Sequence, residues 1–166
     1  RNERLTMTRP YALLRAGFPY LTTLGMRRFT WFPVDIGFGS EGRLYSLNRG
    51  GGENIVSIWR FNWDDEDLGK IGAFGTGNGQ FKSPVNLILD REENLYVSDE
   101  ALHRIVILDR EGNSLGQWGE FGDGEGQLNG AAGICFDADD NIWVVNSFNS
   151  RVQKFTKDGQ FLPGFG

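Results

Sequence analysis

Residues 84–119 read PVNLILDREENLYVSDEALHRIVILDREGNSLGQWG. Four short runs rich in aliphatic and β-branched residues stand in this stretch: PVNLIL, NLYVS, RIVIL and SLGQW. Clusters of Asp, Asn, Glu and Gly separate them, which is the pattern of a four-stranded antiparallel meander. The unit then recurs. Asp90 is followed by Asp137, Asn94 by Asn141, Val97 by Val144 and Arg104 by Arg151, each 47 residues on.

A fixed period of this size with four strands per unit predicts an all-β chain of propeller blades. Runs such as 95–98 and 105–108 are apolar on both faces or nearly so, and such strands must be covered from both sides. Blades packed face to face around an axis provide that cover, and a blade cannot bury both its faces alone. Working outward, residues 32–75 form a first blade, with strands expected at 34–39, 43–47, 54–61 and 70–75. Residues 79–119 form a second blade and 126–166 a third. Residues 18–31 read as a lone outer strand and link, because 18–25 resembles the closing run of each later unit; 1–17 form an N-terminal arm.

The composition bounds the function. The chain has 166 residues, 39% of them hydrophobic and 23% charged, as expected of one globular domain. Its 24 glycines fit a fold of many tight turns. A net charge of −5 argues against a nucleic-acid surface, which needs clustered Lys and Arg. Residues 1–28 carry six Arg and one Glu, so the remaining chain is the acidic part. Cys135 is the single cysteine, on a predicted buried strand, so no intrachain disulfide forms. No apolar run approaches the roughly 20 residues a bilayer span needs, and no signal-like segment is visible. The reading is a soluble protein. Its first residue, Arg1, suggests a processed or truncated start, which leaves the compartment open.

Three segments of the third unit resemble the NHL repeat: Gly126-Gln127-Leu128, Asp140-Asn141-Ile142-Trp143-Val144 and Asn149-Ser150-Arg151-Val152. Gly79-Gln80-Phe81, Asn94-Leu95-Tyr96-Val97-Ser98-Asp99 and Arg104-Ile105 in the second unit resemble it too. The first unit is degenerate, keeping Pro33, Gly42 and Leu44-Tyr45 but placing Asn54 where the others have Arg. The resemblance implies a six-bladed ring, which three blades do not close. The remaining blades come either from a longer chain or from a second copy of this one. The resemblance does not single out a function, since NHL propellers include lyases, RNA binders, receptor sensor domains and interaction scaffolds.

Two sets of residues are candidates at the mouth of the channel. Asn48, Asp99 and Asn146 end the second strand of each unit and recur at one level. They could bind a hard cation, or each could cap its own turn, with Asp99 also pairing with Arg104. Asp35, Asn86 and Gly133 are equivalent on the innermost strands, where NHL repeats usually have Gly. Asp35, Asn86 and Asp99 are the candidate Ca²⁺ ligands. Gluconolactonase-like propellers place metal ligands one residue earlier, where this chain has Val34 and Val85. His103 is the only histidine and reads as a turn residue; alone it cannot build the zinc site of an amidating lyase. Gly37-x-Gly39-x-x-Gly42 matches a dinucleotide fingerprint literally, but a strand follows it rather than a helix, so it reads as a hairpin. The acidic run 64–67 reads as a solvated loop, and the recurring Trp and Phe residues, Trp31 and Phe32 included, read as inter-blade packing.

The leading expectation is therefore a propeller scaffold that binds a protein partner across its channel face. The alternative is a metal-assisted lyase or lactonase-like enzyme, with Ca²⁺ or Zn²⁺ in a central site. Binding of single-stranded RNA ranks last, because the second and third units are acidic.

Overall fold

The computed structural model describes residues 22–24, 31–50 and 52–164. The predicted arm at 1–17 lies outside them. So does the predicted outer strand at 18–25, apart from 22–24, which form no strand.

Three four-stranded antiparallel sheets follow one another, each a simple meander. The first contains β1 (Pro33–Phe38), β2 (Arg43–Asn48), β3 (Ser57–Asn62) and β4 (Asp67–Ile71). A short strand β5 (Ala73–Phe74) then runs parallel to β6 (Gln80–Phe81) and leads into the second sheet. That sheet contains β7 (Pro84–Leu89), β8 (Leu95–Asp99), β9 (Arg104–Leu108) and β10 (Ser114–Trp118). A parallel bridge between Phe121 and Leu128 marks the equivalent crossing to the third. The third contains β11 (Ala131–Phe136), β12 (Ile142–Asn146), β13 (Arg151–Phe155) and the short β14 (Phe161–Leu162). These are the expected propeller blades.

The first blade departs from its predicted strands in two places. β3 starts at Ser57 rather than 54, because residues 52–55 fold into a turn closed by Ile55 N–H to the Gly52 carbonyl at 3.1 Å. The outer strand is 67–71 rather than 70–75. Gly72 turns the chain at φ +69°, where a Cβ would collide with the Phe81 ring, and residues 73–74 cross to the next blade. The acidic run is therefore split. Asn62 Oδ1 accepts the amides of Asp64 and Glu66, both at 3.0 Å, while Asp67 already opens β4.

The core lies between blades. Tyr45, Leu47 and Ile58 of the first blade pack against Leu87, Leu95, Val97, Val106 and Leu108 of the second. Tyr96 and Ile105, on the second blade's opposite face, pack against Ile134, Ile142, Val144 and Phe155 of the third. This is why β8 reads as uninterrupted apolar sequence: Leu95 and Val97 face one neighbour and Tyr96 the other.

The 47-residue recurrence of Asp and Asn has a local cause. Asp90 Oδ1 accepts the amides of Glu92 at 3.0 Å and Asn94 at 2.8 Å. Asp137 Oδ1 does the same for Asp139 and Asn141, both at 2.9 Å. Asp109 repeats the arrangement with Glu111 and Asn113 in the second blade's outer hairpin. These are Asx-type hairpin turns, and each Asn side chain also donates back to its Asp. The Gly39–Gly42 segment is likewise a hairpin: one 3₁₀ turn at Ser40–Gly42 leads straight into β2. Among the described residues no helix is long and apolar enough to cross a membrane.

Leu95 is fully buried between the first two blades, so Leu95→Ala should cost about 2–5 kcal/mol of unfolding free energy. Leu115, on outer strand β10, is 55% exposed, and Leu115→Ala should cost under about 0.5 kcal/mol. Urea denaturation followed by tryptophan fluorescence measures both.

Candidate functional site

The innermost strands β1, β7 and β11 each carry an irregularity near their start. Register shifts between Pro33 and Asp35, between Pro84 and Asn86, and between Ala131 and Ile134. Side chains from the preceding blade take up amides beside the bulges of β7 and β11. Asp35 Oδ2 accepts the Leu87 amide at 2.7 Å, and Asn86 Oδ1 accepts the Ile134 amide at 2.7 Å. Asn86 Nδ2 donates to Asp35 Oδ2 as well. Asp35 and Asn86 thus form a polar seam that joins the three inner strands in sequence. Gly133, the third member of the set, has no side chain and ends it.

Asn48, Asp99 and Asn146 occupy equivalent places opposite Pro33, Pro84 and Ala131, and all three are wholly buried. Asp99 is an amide hub. Its carboxylate accepts the N–H groups of Lys82 at 2.6 Å, Ser83 at 3.1 Å, Ala101 at 3.1 Å and Leu102 at 3.0 Å. Asn146 accepts the Asn129 amide at 2.7 Å and donates to the Gln127 carbonyl at 2.8 Å and to Gln153 Oε1 at 2.7 Å. Asn48 donates to the Ser46 carbonyl at 3.0 Å. Asp99 and Asn146 therefore tie a strand end to its adjoining loops, whereas Asn48 bonds within the β2–β3 pair.

Arg104 does not pair with Asp99 as expected. The two are register partners across the hairpin, but the guanidinium reaches the carbonyls of Thr76, Gly77 and Gln80, each at 3.0 Å. Arg151 repeats this on the carbonyls of Asp123, at 2.7 Å, Gly124 and Gln127. Burial lowers the Arg104 pKa, with Asp99 opposing the shift. The repeated arginine therefore pins the Gly-rich link between blades, because a fork of donors can hold several carbonyls at once. In the first blade the register places Ser57, not Asn54, at this position.

His103 also serves architecture. It adopts φ +54°, its Nδ1 accepts the Gly130 amide at 2.9 Å, and its ring lies 4.7 Å from that of Phe121. Among the described residues no group of three or more His, Cys, Asp or Glu side chains could hold a metal ion. Cys135 lies on β11 as predicted but is exposed, because it projects from the face of the third blade that no described residue covers.

At the opposite end of the blades two aspartates anchor ionic contacts. Lys157 of the third blade approaches Asp90 of the second at 3.4 Å, and Lys154 approaches Asp137 at 2.8 Å. Burial works to raise the Asp90 pKa, but hydrogen bonds from Asn94 and the charge of Lys157 outweigh it, and the net shift is downward. The Lys154 hydrogen bond holds Asp137 well below the usual carboxylate range. Burial pushes the Tyr96 phenol, beside Asp90, up to about 12.

Exposed aromatic residues gather at the end where β2, β8 and β12 finish. Phe32 is 59% exposed, and Phe121 and Phe148 are each 63% exposed. Trp31 is also half exposed, so neither Trp31 nor Phe32 is the buried packing residue its sequence context suggests. The loops bearing these rings are tied down. Arg49 N–H bonds the Phe32 carbonyl at 3.0 Å, and Phe148 N–H bonds the Asn129 carbonyl at 3.0 Å. Arg49 pairs with Glu100 of the next blade at 3.0 Å on the same end. Periodicity alone could not have found this patch, because Phe121 recurs from Phe74, which packs against the core, and the repeat does not tell the exposed ring from the packed one. The available signal was a large aromatic in a turn or loop context: Phe121 among glycines, Phe148 within Asn146-Ser147-Phe148-Asn149 and Phe32 just before Pro33.

The NHL repeat pattern matches residues 128–155, so the third blade carries an NHL repeat. No curated protein matches the chain in sequence. Several solved structures share its fold. Virginiamycin B lyase from Staphylococcus aureus is 17% identical with a TM-score of 0.56, over 81% of this chain and 42% of that one. Hydrazine synthase from Kuenenia stuttgartiensis is 13% identical with a TM-score of 0.58, over 79% of this chain and 34% of that one. A gluconolactonase from Xanthomonas campestris is 20% identical with a TM-score of 0.50, over 69% of this chain and 34% of that one. The chain thus spans less than half the length of these structures. At such identities the likeness establishes a β-propeller fold.

Two outcomes follow from this geometry. Asp99→Ala strands several amides at once and should destabilise the fold by about 2–4 kcal/mol, measured by urea denaturation. The second concerns acid. Asp90 and Asp137 have folded pKa values below those of the unfolded chain, so their contribution is complete above the ordinary Asp range. It is lost as pH falls below about 4 toward the folded values. The urea midpoint should drop over that range, and the drop should be shallower in Asp90→Asn and Asp137→Asn.

Proposed function

We propose that this run of propeller blades is a binding scaffold whose loop end, around Phe32, Phe121 and Phe148, takes a protein partner. The observation that carries the reading is a division of labour among side chains. The polar residues nearest the axis are engaged in fastening: Asp35 and Asn86 between blades, Asp99 and Asn146 within them. The large hydrophobic side chains left open to solvent at the β2, β8 and β12 ends include Phe32, Phe121 and Phe148. Aromatic rings on tethered loops offer contact area at low conformational cost, as protein interfaces favour.

The partner side of such an interface is an apolar or mixed protein surface rather than a phosphate backbone. Arg49 at this end is already paired with Glu100, and Glu120 and Asp123 flank Phe121. Solved propellers of this fold that are named as lyases and lactonases keep the enzyme alternative in play. That reading calls for a metal or an acid–base pair outside the fastening set.

The test is quantitative affinity capture with the wild-type chain and the Phe121→Ser/Phe148→Ser variant as parallel baits. A protein retained by the wild type and at least about tenfold depleted on the variant is expected, since each buried aromatic contributes on the order of 1–2 kcal/mol. Equal recovery on both baits would count against the patch. Native mass spectrometry of the same material supplies the opposing readout: a stoichiometric divalent ion would favour the enzyme.

A further inference from the structure

The second and third blades satisfy the same two amides in different ways. In the second blade Asp99 accepts both, Lys82 N–H at 2.6 Å and Ser83 N–H at 3.1 Å. The equivalent amides, 47 residues on, belong to Asn129 and Gly130. Asn146 stands there in place of Asp99, and its one carbonyl oxygen accepts Asn129 N–H at 2.7 Å. Gly130 is buried and its N–H still needs an acceptor. His103 Nδ1 reaches over from the second blade and accepts it at 2.9 Å. A carboxylate oxygen has been exchanged for an imidazole nitrogen.

The exchange changes how the bond responds to acid. A carboxylate stays an acceptor throughout the neutral range, but an imidazole nitrogen accepts only while it carries no proton. Histidine is the side chain whose charge ordinarily changes between about pH 5 and 8. We propose that His103 is a proton-operated latch on the aromatic loop end. Neutral, it closes the link at 119–130 onto the second blade; protonated, it turns Nδ1–H against Gly130 N–H and releases the link.

Gly130 is where the link meets both blades. Its carbonyl accepts Ser147 N–H at 3.0 Å and the Ser147 hydroxyl at 2.9 Å, in the turn that carries Phe148. A Cβ at Gly130 would fall 2.6 Å from the Phe148 ring. The His103 ring itself lies 4.7 Å from that of Phe121. Loss of the Gly130 bond therefore loosens the seats of Phe121 and Phe148 together. The charged groups about His103 come from three elements. On its own blade Asp99 and Arg104 hold backbone groups, and Glu100 pairs with Arg49. On the link Glu120 and Asp123 flank Phe121, and on the third blade Arg151 holds the link carbonyls. The carboxylates favour an imidazolium and the guanidiniums oppose it, whether the link is closed or open. The Gly130 bond counts against the proton only while the link is closed. Release therefore takes up a proton, so closure is favoured as pH rises and lost as pH falls. The latch is a property of the link and does not rest on a protein binding there.

Amide hydrogen exchange of the full chain, read by mass spectrometry at about pH 7.5 and about pH 5.5, tests the latch. Rates are corrected for the intrinsic exchange at each pH. Protection across 119–130 should fall at least about tenfold at the lower pH, as expected when a buried amide loses its acceptor, while β8 keeps its protection. His103 is the only histidine, so no other imidazole contributes. His103→Asn should keep the link protected at both pH values. Its Oδ1 takes the place of Nδ1 on the same Cγ without titrating, and Asn accepts the φ of +54°. His103→Ala should leave the link open at both. The proposal is overturned if wild-type protection across 119–130 changes by less than about threefold between the two pH values. It is equally overturned if the loss spreads evenly over β8, or if His103→Asn responds to pH as the wild type does.

Discussion

A β-sheet apolar on both faces has no stable existence alone in water, and every other feature of this chain answers to that constraint. β8 alternates Leu95 and Val97 toward one neighbour with Tyr96 toward the other, and all three are buried. Burying such residues is worth about 1.5–3 kcal/mol each, but only if another sheet arrives on each side. The blade is therefore a unit of sequence without being a unit of stability. Its repetition is the means by which each copy covers the next.

Apolar faces attract but do not set register, and the polar residues do that. Asp35 and Asn86 hold one inner strand against the next through backbone amides at bulges, where the sheet ladder is interrupted. Arg104 and Arg151 hold the Gly-rich links by their carbonyls, and Asp99 and Asn146 hold the strand ends. Hydrogen bonds are directional where burial is not, so a few of them suffice to align large apolar areas. This also explains why the polar residues that recur with the repeat look like a binding site in sequence. Recurrence at one level around an axis is required equally of a ligand ring and of a fastening ring.

The proposed partner end is what this fastening leaves open. Phe121 stands 47 residues after Phe74, which packs against the core, yet Phe121 is exposed; Phe32 precedes β1 and Phe148 lies in the turn between β12 and β13.

The 47-residue period, the alternation within 84–119 and the Asp–Asn hairpin pairs were sufficient for the propeller fold and its strand order, because these are local signals: turn chemistry and side-chain period act within a few residues. The first blade's outer strand was not legible. It depends on Gly72 meeting Phe81, and that contact exists only once the next blade has begun. The direction of Arg104 was hidden for the same reason. Asp99 is its neighbour across the hairpin, but three carbonyls from the link between blades compete for the same guanidinium and win. Sequence alone determined which residues are polar, repeated and close in the chain. Only the tertiary structure decided which are occupied by distant backbone partners and which remain open, because those partners lie between 24 and 52 residues away in the chain and are brought together by packing.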